Sequence, residues 1–167
     1  MMKRMSACIL AVVLAAPVAA QDAEDAQGDA DAGATQFDRQ CVACHVIADS
    51  DGEVLAGRNA RTGPNLYGVV GREPASVEDF RYGASLVAYG ETGVVWEEEN
   101  IVSYLQDPTG HLRDALDDPR ARSTMAYQVR DEDQAYDIHA FLATFATEDE
   151  DAENEDEDED EEDVSED

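Results

Sequence analysis

The chain has 167 residues, of which 40 are acidic and only 11 basic, and its formal charge at neutral pH is −29. This excess of negative charge excludes nucleic acid as a natural partner, because binding to a phosphate backbone needs clustered lysines and arginines. A charge of this size favours solubility and self-repulsion. We therefore expect a monomer.

The first 20 residues have the pattern of a secretory signal peptide. Lys3 and Arg4 precede an apolar run from Ala7 to Ala16, and small residues at 18–20 predict cleavage before Gln21. The apolar run is too short to span a bilayer as a mature helix. Since no later segment is long and apolar enough either, we expect an exported protein without a membrane anchor.

The rest of the chain divides by composition into three parts. Residues 21–32 form an Asp/Ala/Gly-rich leader, which we expect to be flexible, and residues 33–147 form one small domain. Residues 148–167 form a tail in which 16 of 20 residues are acidic, so the tail cannot bury enough apolar surface to fold and is predicted to be disordered. Two roles stay open for it: solvating the protein, or tuning docking by repelling acidic partners or covering arginines.

The first predicted helix of the domain leads into a cysteine motif. It begins near Gly33, has Phe37 one turn later, and continues into Cys41-Val42-Ala43-Cys44-His45. Cys-x-x-Cys-His is the pattern that attaches a c-type haem covalently. Residues at i, i+3 and i+4 share one face of a helix, so both thiols can form thioethers with one porphyrin while His45 binds its iron.

Other uses of these cysteines compete with haem attachment. A zinc site needs about four protein ligands, but after the signal peptide the chain has two cysteines and three histidines, spread along its length. A structural disulfide is possible in an oxidising compartment. A thioredoxin-like thiol redox pair would need a βαβ setting, which the pattern does not predict. Haem attachment is the prediction, and a disulfide or thiol redox protein is the alternative.

The remainder of the domain predicts one long loop and several helices. Residues 46–74 contain too many glycines and prolines for a helix, and a loop of that length is usually functional or wrapped on something. Helices are predicted over 97–106, around 111–116 and over 131–146, the last with a capping-box-like start at Asp131. No stretch shows strand alternation, so the predicted class is all-α.

The sixth ligand of the iron is not decided by spacing. Met125 is the only methionine after the signal peptide; it lies in an irregular stretch where its thioether can reach the iron opposite His45, or it can simply fill a gap in the core. His111 and His139 are the other candidates, each more readily explained as a partly buried or surface histidine. A closed sixth position is typical of electron carriers, and an open one of haem enzymes and gas sensors.

Several stretches of the domain match one known family. They are Gly33, Phe37, the motif Cys41–His45, the stretch Arg61–Arg72, Phe80, Tyr82, Trp96, Tyr104, Leu105, Thr124, Met125, Phe141 and Leu142. With these residues the domain resembles the class I c-type cytochromes, most closely the bacterial cytochromes c2. The resemblance implies a cytochrome c fold, with three main helices plus short helices and long loops wrapped around one covalently bound haem c.

The same resemblance implies individual roles. Met125 becomes the distal ligand, and the carbonyl of Pro64 accepts the second ring N–H of His45. The other implied contacts are Arg72, Tyr82 and Trp96 at the haem propionates, Tyr104 near the methionine sulfur, and Leu66, Leu105 and Leu142 packed on the haem. Ordinary core packing is the alternative explanation for each of these contact residues.

The function that the resemblance implies is that of a periplasmic one-electron carrier, not an enzyme. It would take electrons from the membrane-bound cytochrome bc complex and pass them to a terminal oxidase or a photosynthetic reaction centre. The alternative is a haem c protein whose distal site opens, acting as a peroxidase-like enzyme or gas sensor.

The chain departs from the family in its basic residues. Relatives usually ring the exposed haem edge with lysines, whereas no lysine follows the signal peptide here. The residues that could replace part of that ring are Arg58, Arg61, Arg113, Arg120, Arg122 and Arg130.

Overall fold

A computed structural model describes residues 27–147. Its elements are, in chain order, α1 (Ala30–Gln40), β1 (Val46–Ala48), β2 (Val54–Gly57), α2 (Ala84–Gly90), α3 (Glu98–Gln106), α4 (Pro108–Ala115) and α5 (Glu132–Ala143). The predicted signal peptide, the first part of the leader and the tail lie outside the described residues. Among the helices that are described, none has the length and apolar character needed to cross a membrane.

Helix α1 begins three residues earlier than expected because Asp29 caps it. The Asp29 carboxylate accepts hydrogen bonds from the backbone N–H groups of Asp31 and Ala32, both at 2.9 Å, which satisfies donors that the first turn leaves free. The N–H of Asp29 itself donates to the Asp137 carboxylate at 2.8 Å. Residues 29–32, which the prediction placed in a flexible leader, thus belong to the helix and its cap.

Helices α1 and α5 cross at Gly33. A Cβ at this position would meet the backbone carbonyl of Asp137 and lie 2.8 Å from the Cβ of Phe141, so glycine is what allows the two backbones this close approach. Next to the crossing, the rings of Phe37 and Phe141 pack with their centroids 5.4 Å apart. This contact joins the first and last helices of the domain and fixes the end of α1, where the cysteine motif begins.

The expectation that the chain forms no strands is wrong in one place. β1 and β2 form a short antiparallel pair with an irregularity after Ile47. The Asp49 carboxylate closes the turn between them by accepting from the N–H groups of Asp51 (3.0 Å) and Glu53 (2.8 Å), and Gly52 supplies a left-handed φ of 83°. The strands are too short for an alternation of apolar and polar residues to be recognised in the sequence.

The other predicted helices form close to their expected bounds. Asp107 ends α3 and caps α4, where its carboxylate accepts from the Gly110 N–H at 3.0 Å, and Pro108 takes the first position of α4. Asp131 caps α5 by accepting from the Gln134 N–H at 3.2 Å. Helix α2 was not predicted, because it has only seven residues and no side-chain cap.

The core lies where α1 and α3 pack on α5 and α4 packs on α3, and strand β2 contacts α1. Its most deeply buried side chains are Phe37, Ile47, Pro108, Leu112, Val129 and Ile138. The predicted all-α class is confirmed, with the two short strands as an addition.

Candidate haem site

The cysteine motif occupies one further helical turn after α1. The N–H of Cys41 still donates to Phe37 (2.9 Å), and the N–H groups of Cys44 (3.0 Å) and His45 (2.9 Å) both donate to the carbonyl of Cys41. An i to i+4 bond of this kind keeps the three side chains of the motif on one side of the backbone. The turn ends at His45, and β1 begins with the next residue.

The two cysteines of the motif are not joined to each other by a disulfide. Cys41 is partly buried and Cys44 is exposed. Burial, assisted by the neighbouring Cys44, raises the pKa of Cys41 to about 12, so its thiol is protonated at neutral pH. Nucleophilic redox thiols have a lowered pKa, because the thiolate is the reactive form; the setting of Cys41 is the opposite of the one that a nucleophilic redox thiol needs.

The imidazole of His45 is held by a backbone carbonyl. Its Nδ1 lies 2.9 Å from the carbonyl oxygen of Pro64, a contact that a neutral ring makes by donating from Nδ1. Burial lowers the pKa of His45, and the hydrogen bond to Pro64 partly offsets this effect. A neutral ring with its proton on Nδ1 has its lone pair on Nε2, which is the form that binds a metal ion.

Backbone pairing explains why the Pro64 carbonyl reaches His45. The N–H of Gly63 donates to Cys44 at 2.7 Å, and the N–H of Leu66 donates to Val46 at 2.9 Å. Between them the Asn65 side chain clamps Ala48, accepting from its N–H at 3.0 Å and donating to its carbonyl at 2.6 Å. Residues 63–66 thus lie alongside the chain that follows the motif.

Gly63 also makes room for the imidazole itself. A Cβ at this position would lie 2.6 Å from Nδ1 and 2.7 Å from Nε2 of His45, and closer still to Cε1. Real Cβ atoms do not approach other atoms so closely, so a larger residue here would displace the ring or the loop. The glycine therefore belongs to the site, although the sequence indicated only that it breaks a helix.

Met125 is partly buried against the main apolar cluster. Its N–H donates to the hydroxyl oxygen of Ser123 at 3.0 Å. The same hydroxyl lies 2.7 Å from the hydroxyl of Tyr104. Burial raises the pKa of Tyr104, and the contact with Ser123 partly offsets this. Tyr104 is therefore connected through Ser123 to the stretch that carries Met125, residues 122–128, called the methionine segment below. Ser123 is a residue that the sequence did not single out.

The three predicted propionate contacts are linked through Arg72. The backbones of Arg72 and Trp96 are paired, with the Trp96 N–H donating to the Arg72 carbonyl at 2.9 Å. The guanidinium of Arg72 donates to the carbonyls of Tyr67 (2.6 Å) and Asn65 (3.2 Å). Burial lowers the pKa of Arg72, and the nearby Tyr82 partly offsets this effect. The structure thus brings the half-buried Arg72 cation close to the Tyr82 phenol and pairs its backbone with that of Trp96.

The predicted apolar contacts belong to the same core cluster. Leu105 and Leu142 are buried within it, and Leu66 packs against it together with Cys41 and Met125. The ring of Tyr104 connects this cluster to Trp96, with centroids 5.1 Å apart.

The two other histidines have partners of their own. His139 is buried in α5, with its Nδ1 3.3 Å from a carboxylate oxygen of Glu98. His111 places its Nδ1 3.0 Å from the Ser103 hydroxyl and packs edge-on against Tyr89 and Tyr104. Each ring has a polar contact at Nδ1 only, and the buried Nε2 atoms of both have no hydrogen-bond partner within residues 27–147. Met125 stays the candidate for the distal position because of the family resemblance and because it packs against the same apolar cluster as Cys41.

The residues present fit a covalently attached haem. The two thiols are free for thioethers, the Nε2 lone pair of His45 is not used by its hydrogen bond, and apolar side chains with one half-buried cation complete the surroundings. A metal ion bound by protein ligands alone does not fit, since residues 27–147 contain no group of three or more His, Cys, Asp or Glu side chains placed to hold one.

Comparison with known proteins gives close relatives. The chain is 52% identical over 126 residues to the cytochrome c2 of Rhodovulum adriaticum, covering 75% of this chain and 99% of the relative. It is 43% identical to the cytochrome c2 of Cereibacter sphaeroides over 139 residues, covering 83% of this chain and 95% of the relative. No protein-family model matches the chain.

A solved structure of cytochrome c2 from Rhodobacter sphaeroides superposes with a TM-score of 0.70 at 45% sequence identity. The match covers 72% of this chain and 98% of the solved one. The fold described above is therefore that of the solved relative.

Proposed function

This chain belongs to the cytochrome c2 family of class I c-type cytochromes and carries one covalently bound haem c, and we propose that His45 and Met125 are the two axial ligands of its iron. As a member of this family it is an electron carrier. The haem supplies the chemistry, the gain and loss of one electron at iron. The protein transforms no substrate; its residues hold the cofactor, cover it and set its reduction potential.

The observation that carries the proposal is the 2.9 Å contact between His45 Nδ1 and the Pro64 carbonyl. It orients the ring and leaves Nε2 as the iron-binding atom. Because backbone hydrogen bonds hold residues 63–66 beside Cys44 and Val46, this orientation is fixed by the fold. A ligand that does not reorient when the charge on iron changes suits a carrier that must exchange electrons repeatedly.

Met125 is proposed as the ligand on the opposite side. It is the only methionine outside the predicted signal peptide, and it packs against the same core cluster as Cys41 and Leu66. A thioether stabilises ferrous iron and raises the reduction potential. With both axial positions filled by protein side chains, small molecules have no free site on iron, which favours electron transfer over peroxidase-like chemistry or gas sensing.

Arg72, Tyr82 and Trp96 are proposed to bind the haem propionates. Arg72 is half-buried, and its guanidinium donates to two backbone carbonyls, neither of them charged. A buried cation needs a compensating anion, and a propionate can supply it. Leu66, Leu105 and Leu142 are proposed to cover the porphyrin and exclude water, while Tyr104 holds the methionine segment through Ser123.

We place the carrier in the periplasm, where the predicted signal peptide over residues 1–20 would deliver it as a monomer without a membrane anchor. Its proposed donor is the cytochrome bc complex, and its proposed acceptor is a terminal oxidase or a photosynthetic reaction centre. These assignments rest on the cytochromes c2 that it resembles.

The absorption spectrum of the purified holoprotein tests the ligation. We expect a low-spin ferric form with the weak red band that methionine ligation to ferric iron produces. A high-spin ferric form would instead indicate an open distal position and an enzyme or sensor. The carrier role is tested next, by adding the reduced holoprotein to membranes that contain an oxidase or reaction centre; a reduced protein that neither complex oxidises would contradict it.

A further inference from the structure

The segment that carries Met125 is held in an unusual way. In the described part of the chain, backbone groups of residues 122–128 form no hydrogen bond with any other backbone group. Regular pairing resumes at Val129, which is buried and whose N–H donates to the Leu105 carbonyl at 2.8 Å. The position of Met125 therefore depends on side-chain contacts on either side of it.

Side-chain hydrogen bonds hold the segment on both sides of Met125. The Thr109 hydroxyl accepts from the Ser123 N–H at 3.2 Å, and the Gln128 amide donates to the Asp107 carboxylate at 3.2 Å.

Two further contacts lie at equal distances along the chain from Met125. Ser123, two residues before Met125, lies 2.7 Å from the hydroxyl of Tyr104. Tyr127, two residues after Met125, donates its hydroxyl to the side-chain oxygen of Gln40 at 2.9 Å. The first contact lies at the core, whereas Tyr127 remains 48% exposed to solvent.

Gln40 is a fixed point for this second contact. It is the last residue of α1 and immediately precedes Cys41. Its side-chain amide nitrogen donates to the oxygens of Gln36 (2.8 Å) and Gln134 (3.0 Å), so the amide is oriented with its own oxygen toward Tyr127. The Tyr127 hydroxyl thus joins the methionine segment to the helix that carries the haem cysteines.

From this geometry we propose that the Tyr127–Gln40 hydrogen bond is a latch that keeps Met125 on the haem iron, so that breaking it admits small nitrogenous ligands such as imidazole to the distal position. The latch rests on the proposed function, because it assumes that Met125 is the distal ligand. Tyr127 is a positioning residue and does not itself touch the iron.

A groove beside the latch gives the segment somewhere to move. It has a volume of about 500 Å³ and is lined by Gln40, Ala126, Tyr127, Gln128, Arg130, Asp131 and Gln134. Most of the lining side chains on the methionine segment are exposed. Once the hydroxyl contact is lost, fewer contacts oppose movement of the segment: those that remain after Ser123 are the packing of Met125 on the core and the Gln128–Asp107 hydrogen bond. The iron should therefore lose its thioether ligand more often.

The expected size of the effect follows from the free energy that one hydrogen bond contributes. A neutral hydrogen bond at a partly exposed site changes an equilibrium by roughly threefold to tenfold. The population of protein with the segment open should rise by that factor when the hydroxyl is removed, and the apparent affinity for an added ligand should rise with it.

Tyr127→Phe tests the latch, because it removes the hydroxyl and keeps the ring. Tyr136→Phe is the matched control, since Tyr136 lies on α5, outside the methionine segment, and also packs against the core. The ferric holoproteins are titrated with imidazole and followed by the loss of the red methionine band. We expect Tyr127→Phe to bind imidazole about threefold to tenfold more tightly than wild type, and Tyr136→Phe to match wild type. Equal affinities for Tyr127→Phe and wild type would overturn the latch.

Gln40→Leu and the double variant complete the test. If the two residues act through one contact, adding Tyr127→Phe to Gln40→Leu should produce no further gain in imidazole affinity. Fully additive gains would overturn the latch by showing that the two side chains act separately. A wild-type holoprotein that lacks the methionine band would overturn both the latch and the proposed ligation, whereas failure of the latch alone leaves that band in place.

Discussion

The two sides of the haem site are built differently. On the His45 side, backbone hydrogen bonds join the motif to Gly63 and Leu66, and the carbonyl of Pro64 orients the imidazole. On the Met125 side, residues 122–128 have no backbone pairing within the described part of the chain. One candidate ligand is thus fixed by main chain, and the other by a few side-chain contacts.

This difference has consequences for local stability. A ligand fixed by backbone pairing moves only when a whole unit of the fold opens, whereas one held by single side-chain contacts can leave through a small local opening. We expect changes on the His45 side to damage the fold, and changes on the Met125 side to alter ligation while the fold persists. The following predictions test this comparison, from the largest expected effect to the smallest.

Replacing Cys41 and Cys44 together by alanine should have the largest effect. No thioether can form, and a domain this small then loses the large apolar group at its centre. We expect no covalent haem, weak helical circular dichroism and rapid proteolysis. Cys44→Ala alone is the control, because one thioether remains. A stable, helical double variant without haem would show that the fold does not depend on its cofactor.

Met125→Ala should leave haem attached and the fold largely intact. Loss of the thioether should lower the reduction potential by on the order of 0.1 V or more, within the range of about 0.8 V that axial ligands span, and should admit imidazole or cyanide. Redox titration and ligand binding measure both effects. If the variant kept the wild-type ferric spectrum, His111 or His139 would have to be considered as the ligand.

Gly63→Ala should lower the free energy of unfolding by about 3 kcal/mol, because the new methyl group overlaps the His45 ring. Gly52→Ala is the control: its site is open and only the left-handed φ of 83° opposes the change, at a cost of about 1 kcal/mol. Denaturant unfolding of the holoproteins compares the two. Similar losses for both variants would mean that the loop adapts, so that the His45 side is less rigid than its pairing indicates.

Ser123→Ala should cost about 1–2 kcal/mol, since it leaves the half-buried Tyr104 hydroxyl and the Met125 N–H without their partner. Ser123→Thr keeps the hydroxyl and should restore most of the loss. Thermal unfolding gives the stability, and imidazole binding reports whether the methionine segment loosens. An alanine variant as stable as wild type would show that Ser123 does not help to hold the methionine segment.

Deleting residues 148–167 should change neither side of the site. We expect the haem spectrum, potential and melting temperature to stay within error of the full-length protein. If the tail also tunes docking, its deletion should speed oxidation by an acidic partner at low ionic strength, and the gain should fade as the Debye length falls to about 8 Å near physiological salt. Stopped-flow rates that are equal at every salt concentration would eliminate a docking role.

The His45 side could be predicted from sequence more fully than the Met125 side. The motif is local: five consecutive residues specify the thiols, the histidine and their common face. The role of Pro64 followed from the family resemblance, and the structure places its carbonyl at hydrogen-bonding distance from His45. For Met125, spacing left ligation and core filling open, and only the resemblance favoured ligation.

What could not be predicted are contacts between distant parts of the chain. Tyr127 and Gln40 are 87 residues apart, and no periodicity relates them. Helix α2 and the two strands were missed because each is shorter than the window in which periodicity becomes visible. The early start of α1 had a visible signal in Asp29, a good helix cap, which the acidic composition of the leader concealed.

The crossing of α1 and α5 also determines when the domain can close during synthesis. α1 leads directly to the two thiols, yet Phe37 packs on Phe141 of the last helix. Since a chain is made from its N-terminus, the thiols emerge long before the helix that packs against α1 has been made. Contacts between such distant segments also form slowly, because a long loop must be closed first. We expect both thiols to remain open to covalent attachment throughout this interval, so that the cofactor is joined to the chain before the fold encloses it.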